Sequence, residues 1–260
     1  GNTTIKSDAG QLFVPAVGGA NQSLVVGGSG NVVVAGAITT GAGTFTKTGT
    51  GTVTLSGPSA NTFTGDTSIQ DGTLVLAKSN GVNAIADGEI TINSGGTLLL
   101  GANNQIANAA NTGKIKMAGG TFHTGGYSEG TANDPGVGSL TLTANSVIDM
   151  GTGASFLHFE TTYGDWGSNI LSITNWSGNI GGGGTDRVYF SAITDSQLAQ
   201  IRFVNPGGSP GTVEARRLAT GEIVPVPEPS VVAALVLMAG GAMWRERRRM
   251  AEPTLPRRRG

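Results

Sequence analysis

Short apolar runs recur along the chain: Val32-Val33-Val34, Val53-Thr54-Leu55, Leu74-Val75-Leu76, Leu98-Leu99-Leu100, Ile115-Lys116-Met117 and Leu140-Thr141-Leu142. Their first residues lie 21, 21, 24, 17 and 25 positions apart, and turn formers such as Gly49, Gly51, Gly57, Asn61, Gly65 and Asp71-Gly72 fill the intervals. Short runs with period-two alternation, bounded by Gly, Asn and Asp, read as β-strands. A loose period near 20 residues reads as a solenoid, in which each coil buries its apolar face only against its neighbours. The expected fold is therefore all-β, a right-handed parallel β-helix. Val34, Leu55, Leu76 and Leu100 should face inward, with Gly and Asn at corners that need positive φ. A β-sandwich is the rival, but it would show hairpin-sized intervals and more Pro and aromatic residues.

Degenerate runs continue through Gly119-Gly120-Thr121-Phe122 and residues 139–151. Residues 1–155 thus form the expected repeat region. From Phe156 the texture changes, and Tyr163, Trp166, Trp176, Tyr189 and Phe190 gather in one stretch. Residues 156–224 are expected to supply the terminal coils and a cap, because an open coil end exposes unpaired strand edges. Within them, residues 195–203 predict one helical turn with Asp195 as N-cap, followed by a last strand. A segment at 225–249 and a basic tail at 250–260 complete the chain.

Composition narrows the reading. Gly occupies 44 of 260 positions, only 13% of residues are charged, and 38% are hydrophobic. Gly and Thr are poor helix formers, which excludes an ordinary helical protein. The low net charge of −1 excludes the usual signature of disorder, and the irregular Gly spacing excludes collagen. With no Cys, the chain has neither disulfides nor thiolate metal sites. Up to Pro229 there are 9 Lys and Arg against 15 Asp and Glu; beyond it there are seven Arg against two Glu. An acidic body does not suit nucleic acid as a partner.

Candidate chemistry is sparse. Residues 181–189 (GGGGTDRVY) fit a calcium-binding nonapeptide once, whereas calcium in such rolls sits between successive copies. A glycine turn leading into a strand is the preferred reading. His123 and His158 are the only histidines, and neither has a second His at ligand spacing. Glu160, Asp165 and Asp186 could supply a carboxylate pair of the glycosidase type, so a polysaccharide lyase or hydrolase on this scaffold is the alternative function. The preferred expectation is no catalytic residue, no metal and no cofactor. Gly1 is not Met, and no charged and apolar leader precedes the first strands, so a secretion signal has been removed or the chain is a fragment.

Residues 45–76 read FTKTGTGTVTLSGPSANTFTGDTSIQDGTLVL. The pattern of Lys47, Gly49, Gly51-Thr52, Leu55-Ser56-Gly57, Asn61-Thr62-Phe63-Thr64-Gly65 and Gly72-Thr73-Leu74 resembles the autotransporter-associated β-strand repeat, also called the passenger-associated transport repeat. Phe63 stands where that family usually has Tyr.

The tail carries a second resemblance. Val226, Pro227, Glu228, Pro229 and Ser230 precede 14 residues, 231–244, that have no charged or strongly polar group. The bulky apolar positions are Val231, Val232, Leu235, Val236, Leu237, Met238, Met243 and Trp244, and Arg245, Arg247, Arg248 and Arg249 follow. As a short hydrophobic helix the segment spans about 21 Å, against about 30 Å of hydrocarbon core. The Arg cluster places its end in the cytoplasm. This order resembles the PEP-CTERM sorting signal of Gram-negative bacteria. The resemblance implies export and transient inner-membrane anchoring through this segment. An exosortase partner then sorts the chain to the cell surface or extracellular matrix. The expected function is a non-catalytic, structural or adhesive β-helix whose outer partners are exopolysaccharide or matrix.

Overall fold

The computed structural model describes residues 2–107 and 113–226, and Gly1–Val226 is one compact unit. Its strands stack in two parallel ladders. The first sheet comprises Asn2–Lys6, Ser23–Gly27, Phe45–Thr48, Thr67–Ile69, Glu89–Asn93, Lys114–Ala118, Val137–Ala144, Ser155–Thr162 and Asp186–Phe190, each in parallel register with the next. The second comprises Gln11–Val14, Asn31–Val34, Thr52–Gly57, Gly72–Lys78, Gly96–Leu100, Thr121–His123, Ser146–Asp149, Leu171–Thr174 and Ile201–Val204. On a third side only short pairings form, Val17–Gly18 with Ile38–Thr39 and Ile85 with Ile106. This is the all-β solenoid that the periodicity predicts.

Strand pleating explains the core. Alternate residues of the second sheet point inward and stack through Val32, Val53, Leu74, Leu98, Phe122, Ile148, Ile173 and Phe203. Every member of that column is buried, as are Val34, Leu55, Leu76 and Leu100 in the column beside it. Coil length is not constant. The register advances 20 residues from Gln11 to Asn31 and 31 from Ser155 to Asp186, and the difference is absorbed in loops that leave the ladders intact.

Three expectations need correction. The six apolar runs do not form one ladder: Leu98 stacks on Phe122, whereas Ile115 and Leu140 belong to the first sheet. The 17-residue interval is thus a crossing between sheets. The parallel stacking also does not continue to Val224. It ends at Val204, where Thr212–Arg217 and Glu222–Pro225 turn back antiparallel and close onto Ile201–Val204 and Asp186–Phe190. Reversed strands use the N–H and C=O groups that a last parallel coil would leave unpaired. Finally, the helix Asp195–Leu198 is capped by Thr194, not Asp195. The Thr194 Oγ1 accepts a hydrogen bond from the Gln197 N–H at 3.3 Å, and a capping box forms.

The aromatic stretch contributes to this closed end. Trp166, Trp176, Tyr189 and Phe190 are buried, while Tyr163 is exposed. Phe159 stacks on Phe190 at 5.0 Å, and Trp176 meets Phe203 edge-on at 5.2 Å. No helix among the described residues is long and apolar enough to cross a membrane. Residues 227–260, which hold the expected membrane helix, lie outside the described part.

Candidate functional site

The solenoid interior holds polar side chains, and their partners define what they do. Lys47 lies on the first sheet with its side chain buried in a corner. Its Nζ donates to the carbonyls of Thr48 at 3.0 Å, Gly49 at 2.6 Å and Asp71 at 2.8 Å, which ties two successive coils together. Burial pulls this ammonium below the ordinary lysine range, and the negative charge of Asp71 opposes the shift. Asn61 does similar work on the third side. It accepts from the Ile38 N–H at 2.8 Å and donates to the Ala84 carbonyl at 2.7 Å, so one amide spans the coils before and after it. Further along, the Gln105 amide oxygen accepts from the Lys78 N–H at 2.7 Å, and the Glu129 carboxyl accepts from the N–H groups of Gln105 at 2.6 Å and Ile106 at 3.4 Å.

The candidate acids separate by the same test. Asp186 is fully buried. One of its oxygens accepts from the Ser155 N–H at 3.2 Å, and the other from the N–H and Oγ of Ser177 at 2.8 and 2.6 Å. The aspartate of the nonapeptide match is thereby occupied by the chain's own donors. Gly182, Gly183 and Gly184 all take positive φ, and the Gly183 N–H binds the buried Glu222 carboxylate. Glu160 and Asp165 are exposed, and Asp165 accepts from the Gly167 N–H. No group of three or more His, Asp or Glu suited to a metal ion occurs among the described residues.

The two histidines lie in different settings. His158 is buried between the Thr131 carbonyl at 2.6 Å and the Ser191 hydroxyl at 2.8 Å, with Tyr189 beside it. His123 is half-exposed on the outer face, 3.9 Å from Asp149. Near the closed end, Arg187 lies 5.1 Å from the ring centres of both Phe156 and Tyr189. The Tyr189 phenol also bonds to Glu222 at 3.0 Å; burial, with Glu222 beside it, pushes the phenol up. An open cleft of about 540 Å³ lies between the terminal helix and Thr212–Arg217. Its Arg216 and Arg217 are engaged with the carbonyls of Ile180, Phe190 and Ser191.

Of the expected sorting-signal residues, Val226 to Ser230, only Val226 falls within the described residues. Its N–H donates to the Glu214 carbonyl at 2.8 Å, as the first residue after the last strand. Pro227, Glu228, Pro229, Ser230, the apolar positions and the Arg cluster lie outside.

A coiled stack with internal polar clamps defines a class, the β-solenoids. Within it, residues 45–76 match the passenger-associated-transport-repeat family. No curated protein and no solved structure matches the chain. The geometry accounts for the repeat's residues one by one. Lys47 and Asn61 clamp adjacent coils, Leu55 and Leu74 fill the core, and Phe45 stacks on Phe63 at 5.8 Å. Gly57 takes φ +89°, and a Cβ there would lie 1.8 Å from the Ala35 carbonyl oxygen. This signature is one of architecture. The repeat and the solenoid together fit an exported, surface-exposed β-helix protein.

The clamp reading has a direct check. Lys47→Met keeps the length of the side chain but takes the ammonium donor from the Gly49 and Asp71 carbonyls, while the Thr48 carbonyl keeps the Gly28 N–H at 3.3 Å, at an expected cost of about 1–3 kcal/mol. The urea midpoint measures it. An unchanged midpoint would mean that the ammonium contributes nothing net.

Proposed function

We propose that the protein is a non-catalytic structural component of the bacterial cell surface or extracellular matrix, with an adhesive role toward exopolysaccharide or matrix. On this reading the tail at 225–249 is a PEP-CTERM signal. It anchors the chain transiently in the inner membrane, and an exosortase then removes it. The observation that carries the non-catalytic part is the use of the buried acids: Asp186, Glu129 and Glu222 all accept hydrogen bonds from the chain's own backbone. A buried carboxyl group engaged in this way holds coils together and turns its oxygens toward the chain's own donors.

Two features support the sorting part. The first compact unit ends at Val226, and the Pro227-Glu228-Pro229 sequence follows it directly in the chain. Two prolines cannot join a regular helix or central strand without losing N–H donors, which favours an extended peptide open to a protease. Replacing Pro227, Glu228 and Pro229 by Ala in the native cell is expected to retain full-length protein in the membrane fraction. Mass spectrometry of the C-terminus reads the outcome. Equal loss of the tail in the variant, the parent and cells lacking the sorting enzyme would reduce the motif to a linker.

A further inference from the structure

The outer faces of the two sheets differ in chemistry. From Asn31–Val34 to Thr121–His123, five successive strands of the second sheet turn no Asp, Glu, Lys or Arg outward. Lys78 points inward and donates to the Gly36 carbonyl at 2.7 Å. Charge returns on the next strand, where Asp149 lies 3.9 Å from His123. On the outer side of the first sheet, by contrast, Glu89 and Lys116 meet at 3.9 Å.

Two rows of side chains cross this uncharged face, one residue per coil. Thr52, Thr73, Thr97 and Thr121 stack in register in the first row, and Val33, Thr54, Val75 and Leu99 in the second. All are half-buried, and neighbours within a row stand about 4.8 Å apart. None of the threonine hydroxyls in the two rows has a hydrogen-bond partner among the described residues. Tyr127, 37% exposed, lies at one corner. It and Leu99 flank Gly125, where a Cβ would lie 3.6 Å and 3.1 Å from them.

These features suit one kind of partner. A hydroxyl both donates and accepts, so a row of free hydroxyls matches a surface that itself presents hydroxyls. The Val and Leu methyls suit apolar C–H groups, which the negative face of an aromatic ring also attracts. A charged polymer would lose hydration against a face that offers no counter-charge. A second copy would bury too little. Five strands, each contributing about 17 Å of length, cover roughly 400 Å² a side, half of the ~800 Å² per partner of a stable interface.

We propose that this face binds an uncharged polysaccharide laid across the coils. The proposal rests on the adhesive reading above and names its surface and its ligand class. Binding strengthens by repetition, because each further coil adds a similar weak contact to a polymer already held.

The test measures depletion isotherms of the full chain on microcrystalline cellulose, a neutral glucan, and on alginate beads, an anionic polymer. The parent should bind cellulose about tenfold more tightly than alginate. Thr73→Val combined with Thr97→Val keeps the β-branched shape and removes two hydroxyls; it should weaken cellulose binding about three- to tenfold. Val75→Asp should weaken it by about tenfold or more. Thr46→Asp, on the outer side of the first sheet, should leave it unchanged. Urea midpoints report whether each variant keeps the fold, and the Thr→Val pair carries the test if Val75→Asp does not. Equal cellulose binding by the parent and the face variants would overturn the proposal and leave the adhesive reading in place. Tighter binding to alginate, or a loss caused by Thr46→Asp alone, would do the same. A parent that binds neither polymer would overturn both the proposal and the adhesive reading toward exopolysaccharide. A parent dimer in sedimentation equilibrium that Val75→Asp dissociates would assign the face to a second copy instead.

Discussion

Leu76→Asp is expected to cost more than about 4 kcal/mol, enough to remove most of the stability of an ordinary domain. Leu76 sits between Leu55 and Leu100 in one inward column, with no exposure of its own. A carboxylate there would have only aliphatic neighbours above and below it. Leu76→Ala isolates the packing part, at about 2–5 kcal/mol. Val75→Asp, one position along and on the outer face, should stay within about 1 kcal/mol. Urea denaturation of the three variants checks the inward assignment. If Leu76→Asp and Val75→Asp lower the midpoint equally, the assignment is wrong. Strand pairing joins each coil only to its neighbours, so the loss should also appear first as local exchange of amides around residues 52–100.

The second large effect concerns pH. Glu129 is buried, and desolvation pushes its carboxyl from 4.5 up to about 8, against the two backbone N–H groups that favour its charged form. Between those two pH values the folded state holds a proton that the unfolded state has released. Stability should therefore fall as pH rises from about 4.5 to about 8, by a few kcal/mol in all, and this contribution should level off outside that window. Glu129→Gln keeps an acceptor for the Gln105 N–H and removes the titration. Denaturant midpoints at pH 5 and pH 8.5 should converge in the variant and diverge in the parent. Parallel pH profiles for the two proteins would show that Glu129 is not the group responsible.

Glu129 also marks the boundary of what a linear reading reaches. Nothing near it in the chain signals burial, since it lies in the polar stretch Tyr127-Ser128-Glu129-Gly130. Its partners Gln105 and Ile106 stand a whole coil away. Asp186 is a parallel case. The nonapeptide match reads as a glycine turn leading into a strand, and what the aspartate does there is decided by donors from Ser155 and Ser177, on a preceding coil and an adjoining loop, which engage both its oxygens. The aspartate's own neighbours in sequence carry no record of those contacts.

Lys47 occupies an intermediate position. The repeat pattern singled it out by identity, but its role appeared only when the Asp71 carbonyl, 24 residues on, came within 2.8 Å. The six apolar runs behave alike. Each was a true strand, yet Leu98 and Ile115 proved to lie on different sheets. A run of alternating residues specifies a strand and its buried face, and leaves open which ladder it joins.

The sequence by itself determined the strand class, the positive-φ turns at Gly49, Gly57 and Gly72, the repeat at 45–76 and the inward columns through Val34, Leu55, Leu76 and Leu100. The repeat was legible by resemblance, and the rest follows from local chemistry, either pleat periodicity or the backbone freedom of a turn residue. Only the tertiary structure decided which coil stacks on which, where parallel stacking stops and which polar side chains turn inward to clamp the corners. The stacking alone depends on ladder contacts between residues 20 to 31 positions apart, and its closure on Val188 meeting Ile223, 35 positions on. Because loop length varies from coil to coil, register is set by the fit of one whole coil upon the next, which no short stretch of sequence contains.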